Sequence, residues 1–242
     1  MKALIFAAGL GERMRPLTDV TPKPLLLAGG KPLIEWHLEK LAARGVRDVV
    51  INTSWLAEQF PVTLGMGQRW GLRISYSYEG PAALETGGGM LHALGLLQDD
   101  NFIAVNGDIW SDYDFGRLPE APTGDAHLVL VDNPVHHPRG DFALREDGKV
   151  CNEGMTRLTF SGIGLYTPQF LEGWREIIGD APGADGDPAR FKLAPLLLAA
   201  MQCGRISGEH HTGRWTDVGT PQRLQELDRQ LVARERPPPA TL

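Results

Sequence analysis

The chain has 242 residues, 42% of them hydrophobic and 22% charged, enough for one sizeable α/β core. Its formal net charge of -6 argues against general binding of nucleic acid or an anionic membrane, although a few local cations can hold a triphosphate inside an acidic protein. Two cysteines, Cys151 and Cys203, stand far apart without paired spacing, which argues against a disulfide framework or a zinc site and for a cytoplasmic protein.

In chain order, the apolar run 3–7 (ALIFA) reads as a strand buried on both faces. The opening KALIFAA is too short for the apolar core of a signal peptide, and no run is long enough to span a bilayer. Residues 32–43 carry apolar side chains at helical spacing, with Pro32 at the expected first helical position. A second buried strand is expected at 48–52, a helix over WLAEQF (55–60), a third strand at 74–78, a helix at 88–97 and a fourth strand at 102–105. Strands alternating with helices predict a Rossmann-like three-layer α/β/α sandwich around a mostly parallel mixed sheet.

From about residue 126 the pattern changes. HLVLVD and DFALREDGKVCNE read as strands, the latter with an Asp147-Gly148 hairpin turn. TFSGIGLYTPQFLEGW reads as a strand and then a helix starting near Pro168, 180–188 as a loop, and FKLAPLLLAAMQ as a helix. RWTDV is a short strand, and a last helix runs from Pro221 to Arg234 with Thr220 as its N-cap. No internal repeat is present. One domain over 1–236 is expected, with a nucleotide half to about 110, a sugar half beyond it, and a disordered tail at 237–242.

The chemistry starts at AAGLGERMRPLTDVTPKPL (7–25). A buried strand delivers Ala8, Gly9, Gly11 and Glu12 into a loop whose glycines leave backbone N–H groups open to a phosphate. Arg13 and Arg15 follow, and Lys23 lies between Pro22 and Pro24, which restrict the backbone that aims it. Two familiar phosphate motifs fail here. The dinucleotide fingerprint needs a glycine where Met14 stands, and the Walker loop needs Ser or Thr where Pro32 follows Lys31.

This Gly-x-Gly-x-Arg-x-x-Pro with a later Pro-Lys-Pro resembles the signature of the sugar-phosphate nucleotidylyltransferase family. The resemblance implies the nucleotide-diphospho-sugar transferase fold, and Arg13 and Lys23 as the residues contacting the triphosphate and the transferred phosphate. Arg15 matches a less strictly required position. VNGDIW sets Asp108 just past a buried strand, where ligands of open α/β sheets bind, and RWTDVGT sets Asp217 at the end of another. The resemblance implies that these two carboxylates hold Mg²⁺, which takes oxygen ligands, usually one or two carboxylates with substrate phosphates. Asp112 and Asp114 imitate an Asp-x-Asp metal motif but are expected to be turn residues.

In the family the region EGPAALETGGG binds base and ribose, which points to Glu79, Thr86 and Gly87. Glu79 can accept an imide N–H from uracil, or from guanine, so the base stays open on physical grounds. The glycines 87–89 are expected to let backbone lie against a planar base. Asn106, Gly140, Asp141 and Ser161 are candidate sugar contacts by position. His136 and His137, and likewise His210 and His211, are expected in solvated loops. The Glu-Lys-Pro that many family members carry after the hairpin is missing from CNEGMTRLTF. Lys192 is the candidate replacement for its lysine.

LETGGG, VNGDIW, DNPVHHPRGDF, TFSGIG, FKLAPLL and WTDVGT most resemble members that join UTP to N-acetylmuramate 1-phosphate in peptidoglycan recycling. That implies a cation for the lactyl carboxylate, for which Arg139 is the candidate. The alternatives within the family are mannose-1-phosphate guanylylation and glucose-1-phosphate thymidylylation. A sugar-nucleotide-sensing regulatory subunit is the non-catalytic alternative. The partners expected are a nucleoside triphosphate and a sugar 1-phosphate, with no nucleic acid and no membrane.

Overall fold

The structure, a computed structural model, describes residues 1–98 and 100–235. The expected disordered tail at 237–242 lies outside the described residues.

The first part of the chain builds β1 (Lys2–Phe6), a short β2 (Leu27–Ala28) and β3 (Lys31–Pro32), α1 (Leu33–Arg44), β4 (Asp48–Thr53), α2 (Gln59–Leu64), β5 (Arg73–Tyr78), α3 (Glu85–Leu97) and β6 (Phe102–Asn106). There follow β7 (Ile109–Ser111), β8 (Ala126–Val131), β9 (Ala143–Leu144), β10 (Val150–Cys151), β11 (Thr159–Tyr166), α4 (Trp174–Ile178), α5 (Ala194–Gln202), β12 (Ile206–His211), β13 (Trp215–Asp217) and α6 (Pro221–Glu235). Seven strands form one sheet in the order β12-β8-β11-β6-β1-β4-β5. Only β11 runs against its neighbours. The expected mixed, mostly parallel sheet is therefore present.

The apolar runs are continuous because the central strands are covered on both faces. Alternate residues of β1 and β4 divide between two cores. Ala3, Ile5, Val49 and Ile51 pack with Ile34, Leu38 and Leu41 of α1. Leu4 and Val50 pack with Met90, Ala93 and Leu97 of α3 and Leu196 and Leu197 of α5. A third cluster joins Met14, Leu33, Trp110 and Val218 to Leu224, Leu227 and Leu231 of α6. This last cluster fastens the final helix over the loop after β1.

Several boundaries differ from those expected from the sequence. Pro32 pairs in β3 and precedes α1 rather than opening it. WLAEQF is mostly turn, and the helix begins at Gln59, because Leu56 takes a left-handed conformation (φ 49°). The segment after Pro168 forms one 3₁₀ turn, Pro168–Leu171, and then the five-residue α4. The Asp147-Gly148 turn is as expected, with Gly148 at φ 77° and Lys149 N–H donating to Asp147 Oδ1 at 3.1 Å. Thr220 caps α6, its Oγ1 accepting from Arg223 N–H at 3.3 Å.

Candidate active site

The chain leaves β1 for its neighbour β4, passes outward to β5, and returns through α3 to β6 on the other side of β1. The carboxyl ends of β1 and β6 thus flank a topological switch point, where open α/β sheets bind ligands. A cavity of about 710 Å³ opens there, lined among others by Gly9, Arg13, Lys23, Glu79, Thr86 and Asp108. That volume falls in the range of small-molecule sites. Ala8, Gly11, Glu12 and Asn106 also line it.

The loop after β1 follows from two glycines used differently. Gly9 has open space where a side chain would project. Gly11 is left-handed (φ 64°), and a Cβ there would come within 2.8 Å of Thr18 Cγ2. Its carbonyl accepts from Met14 N–H and from Thr18 Oγ1, each at 2.8 Å, which closes the turn that presents Arg13. Arg13 is exposed, and Lys23 is buried in a 3₁₀ turn between its prolines. Lys23 Nζ lies 2.6 Å from Asp108 Oδ2.

A buried hydrogen-bond relay braces the other wall. Ala7 N–H donates to Asn52 Oδ1 at 2.6 Å, Asn52 Nδ2 donates to Glu79 Oε1 at 2.5 Å, and Leu84 N–H donates to Glu79 Oε2 at 2.7 Å. Burial raises the Glu79 carboxyl pKa above its ordinary value, while the bonds from Leu84 and Asn52 oppose that shift. The relay therefore ties the ends of β1, β4 and β5 to the start of α3.

The helix expected at 88–97 is present and starts earlier, at Glu85, so it takes in all three glycines 87–89. They lie buried in the first turns of α3. A Cβ on Gly87 would stand 2.5 Å from the Phe191 ring, one on Gly88 2.4 Å from the Ala189 carbonyl oxygen, and one on Gly89 2.4 Å from Glu79 Oε1. Gly87 and Gly88 N–H both donate to the Phe191 carbonyl. The triplet lets the 189–191 segment and Glu79 approach the helix. Gly87 does not line the cavity.

Asp108 and Asp217 come together through a two-stranded ladder separate from the main sheet. β13 pairs with β7, setting Asp217 opposite Ile109, and Val218 N–H donates to the Asp108 carbonyl at 2.8 Å. Helix α1 holds the other side of β7. His37 Nε2 donates to the Ile109 carbonyl at 2.9 Å, and Lys40 Nζ donates to the Ser111 and Tyr113 carbonyls. Burial lowers the His37 pKa to about 4, with Lys40 as the second cause. Asp217 Oδ1 meets Arg223 Nη1, and His136 Nε2 at 2.8 Å.

His136 and His137 lie in a solvent-exposed loop, as expected from the sequence, but both have partners there. Each reaches a different aspartate, since His137 Nε2 lies 3.0 Å from Asp141 Oδ1. His210 and His211 do depart from expectation. They end the edge strand β12, and His211 is buried, 2.9 Å from Asp112 Oδ1 and edge-on to Tyr113. Asp112 and Asp114 are turn residues as expected, accepting from Arg214 N–H and Gly116 N–H.

The sugar candidates divide. Asn106 and Asp141 line a second cavity of about 240 Å³, which shares Phe6, Thr86 and Asn106 with the first. Asp141 Oδ2 also accepts from Phe160 N–H at 2.8 Å. Ser161 is buried at the β11 bulge, its Oγ accepting from Ile163 N–H at 3.1 Å, and lines neither cavity. Gly140 packs against Asn133 and Arg157, and Arg139 is exposed; neither lines these cavities. Lys192 lines a third cavity of about 270 Å³, which shares Glu85 and Arg190 with the first.

A loop of backbone N–H groups, a lysine, an arginine and Asp108 lining one cavity at a switch point is equipment for handling a polyphosphate, whereas Asp217 does not line that cavity. Residues 2–139 match the model of the nucleotidyl transferase family. The chain belongs to that family. It is 48% identical, over 93% of its length and 96% of the relative's, to an N-acetylmuramate alpha-1-phosphate uridylyltransferase of Neisseria meningitidis serogroup B. A Caulobacter vibrioides protein of the same name is 33% identical over 95% of this chain and 96% of its own. Mannose-1-phosphate guanylyltransferase of Mycobacterium tuberculosis is 30% identical over 98% of this chain, but only 66% of that relative is covered. A solved Bacillus anthracis structure in complex with sucrose shares the fold, with a TM-score of 0.81 at 23% identity, over 96% of this chain and 95% of its own.

Proposed function

We propose that this nucleotidyl transferase moves the uridylyl group of UTP onto N-acetylmuramate 1-phosphate, giving the UDP-sugar and pyrophosphate. The observation that carries the reading is the 48% identity, over nearly the whole of both chains, to a relative bearing that name. An oxygen of the sugar's phosphate attacks the α-phosphorus. The new P–O bond forms as the bond to the bridging oxygen of pyrophosphate breaks. A phosphate monoester with a second pKa near ~6 is already largely dianionic at neutral pH, so no general base is needed.

Positioning and charge then do the work. The backbone at Gly9 and Gly11 receives the triphosphate, Arg13 takes charge on the leaving pyrophosphate, and Lys23 takes charge at the transfer centre. Glu79 and Thr86 belong to the base and ribose wall, and Asn106 and Asp141 to the sugar side. The pair Asp108 and Asp217 suits Mg²⁺. Both are oxygen ligands by chemistry, Asp217 opposite Ile109 in the ladder and Asp108 just before it, and both already attract cations, Lys23 on one and Arg223 on the other. When bound, that ion supplies charge neutralisation for the phosphate oxygens of the two substrates. A cytoplasmic role in peptidoglycan recycling accords with this substrate.

The test is pyrophosphate release from each of UTP, GTP and dTTP against a panel of sugar 1-phosphates. The fastest turnover is expected with UTP and N-acetylmuramate 1-phosphate. Faster turnover with GTP and mannose 1-phosphate, or with dTTP and glucose 1-phosphate, overturns the substrate. No release with any pair overturns the enzyme reading in favour of a sensor.

A further inference from the structure

The cations lining the main cavity are Arg13, Lys23 and Arg190. The first two serve the triphosphate in the proposed mechanism. Arg190 is already engaged, its Nη2 3.1 Å from Glu85 Oε1 and its Nε donating to the Ala83 carbonyl at 3.2 Å. The incoming sugar phosphate is dianionic and must lie against the α-phosphate. Those three residues leave it without a cation of its own.

Arg223 lies just behind the cavity lining, next to Gly219. Its guanidinium meets Asp217, with side chains 22% and 26% exposed; neither lines the cavity itself, but Gly219 beside them does. A Cβ on Gly219, a cavity-lining residue, would fall 2.4 Å from Arg223 Nη2, 3.1 Å from Asp217 Oδ2 and 3.2 Å from Arg13 Nη2. Gly219 is thus the point on which both arginines and the aspartate converge.

Two features mark this arrangement as a resting state. First, two groups crowd one oxygen. Arg223 Nη1 and His136 Nε2 both point at Asp217 Oδ1, and the two nitrogens are 2.6 Å apart. A single ring nitrogen cannot donate to the carboxylate and accept from the guanidinium together, so His136 and Arg223 compete for Asp217. Second, Arg223 sits in the first turn of α6, where the helix dipole disfavours a cation. Local rules are broken most often where function requires it.

We propose that Arg223 is an exchangeable cation. It neutralises Asp217 in the empty site. When Asp217 takes a divalent metal, the guanidinium turns to the 1-phosphate of the incoming sugar, which it grips as a planar fork. His136 then remains as the neighbour that holds Asp217 in place. This assignment rests on the proposed function for the identity of the sugar phosphate, but not for the exchange at Asp217.

The test pairs two measurements on Arg223→Gln, with Arg223→Lys as the conservative variant and thermal melting to verify folding. Mn²⁺ binding to the substrate-free protein is followed by electron paramagnetic resonance. Removing the competing guanidinium is expected to tighten Mn²⁺ binding by about threefold or more, since binding that must displace a rival gains when the rival is gone. Steady-state kinetics are expected to give a KM for the sugar 1-phosphate raised about tenfold or more, with the KM for UTP within about twofold, and partial recovery in the lysine variant. Mn²⁺ binding that is unchanged or weaker in a folded Arg223→Gln protein overturns the exchange. Equal rises in both KM values overturn the assignment to the sugar phosphate. The Mn²⁺ titration uses no substrate, so it decides the exchange even if the sugar or the base proves to be a different one.

Discussion

Lys23 holds its place through restraint on every side. Prolines flank it, its backbone closes a 3₁₀ turn, and its ammonium rests on Asp108. In the proposed mechanism Lys23→Ala should lower kcat by ~10²-fold or more, as loss of one preorganised charge-stabilising donor does. Rapid-mix measurement of pyrophosphate release checks this, and a wild-type rate would remove Lys23 from the chemistry. Gly219 makes a different case. A methyl there meets only the far ends of Arg223, Asp217 and Arg13, which can swing aside. Gly219→Ala should therefore leave the melting temperature within ~2 °C, about what a sub-kcal/mol change gives in a chain of this size, yet reduce kcat/KM by about tenfold because the displaced groups are the ones proposed to meet substrate. Equal losses of stability and activity would refute that separation. Gly-x-Gly, Lys23 and the aspartates were legible because each carries a local pattern. Arg223 and His136 were not, because their roles arise from contact with Asp217, and nothing in GTPQRL or PVHHPR signals that contact.

Elements were legible in proportion to their apolar content. β1, β4, β6 and α1 announce themselves because they are buried on a sheet face or against it. The edge strand β12 (ISGEHH) was missed. Of its six residues only Ile206 and His211 are buried, so it lacks both a continuous apolar run and a clean alternation. The glycine triplet of α3 was half legible for a related reason. The helix from Gly88 could be read, but nothing local signals that the distant 189–191 segment presses against the glycines. Gly88→Ala tests that account. Helix propensity alone would favour alanine by up to ~1 kcal/mol. The new methyl, however, would face the Ala189 carbonyl at 2.4 Å, a backbone atom that cannot rotate away. Overpacking of ~1–3 kcal/mol should win, giving a net loss of stability. Urea unfolding checks this, and a midpoint at or above wild type would mean the 189–191 segment is loosely held.

At the scale of the molecule, the buried His37 predicts a pH dependence. The unfolded chain takes up this proton near pH 6.5, and the folded protein refuses it until about 4. The corresponding stability is complete above pH 6.5 and is lost as the pH falls through that window, by on the order of 3 kcal/mol at its lower end. His37→Gln keeps an N–H for the Ile109 carbonyl but cannot titrate. Its stability should fall less steeply than wild type between pH 6.5 and 4 in denaturant titrations, and parallel slopes would show that His37 is not the group responsible. The same region sets the order in which the enzyme can come into being. Ser111 Oγ donates to the Arg214 carbonyl 103 residues away, beside the rungs that bring Asp217 to Ile109. Closing so large a loop is entropically costly and comes late in folding. A chain still emerging from the ribosome can therefore form its triphosphate loop and much of its sheet long before its second carboxylate arrives. Until then only one of the two carboxylates proposed to hold the ion is in place, so the proposed activity has to wait for β13 to join β7.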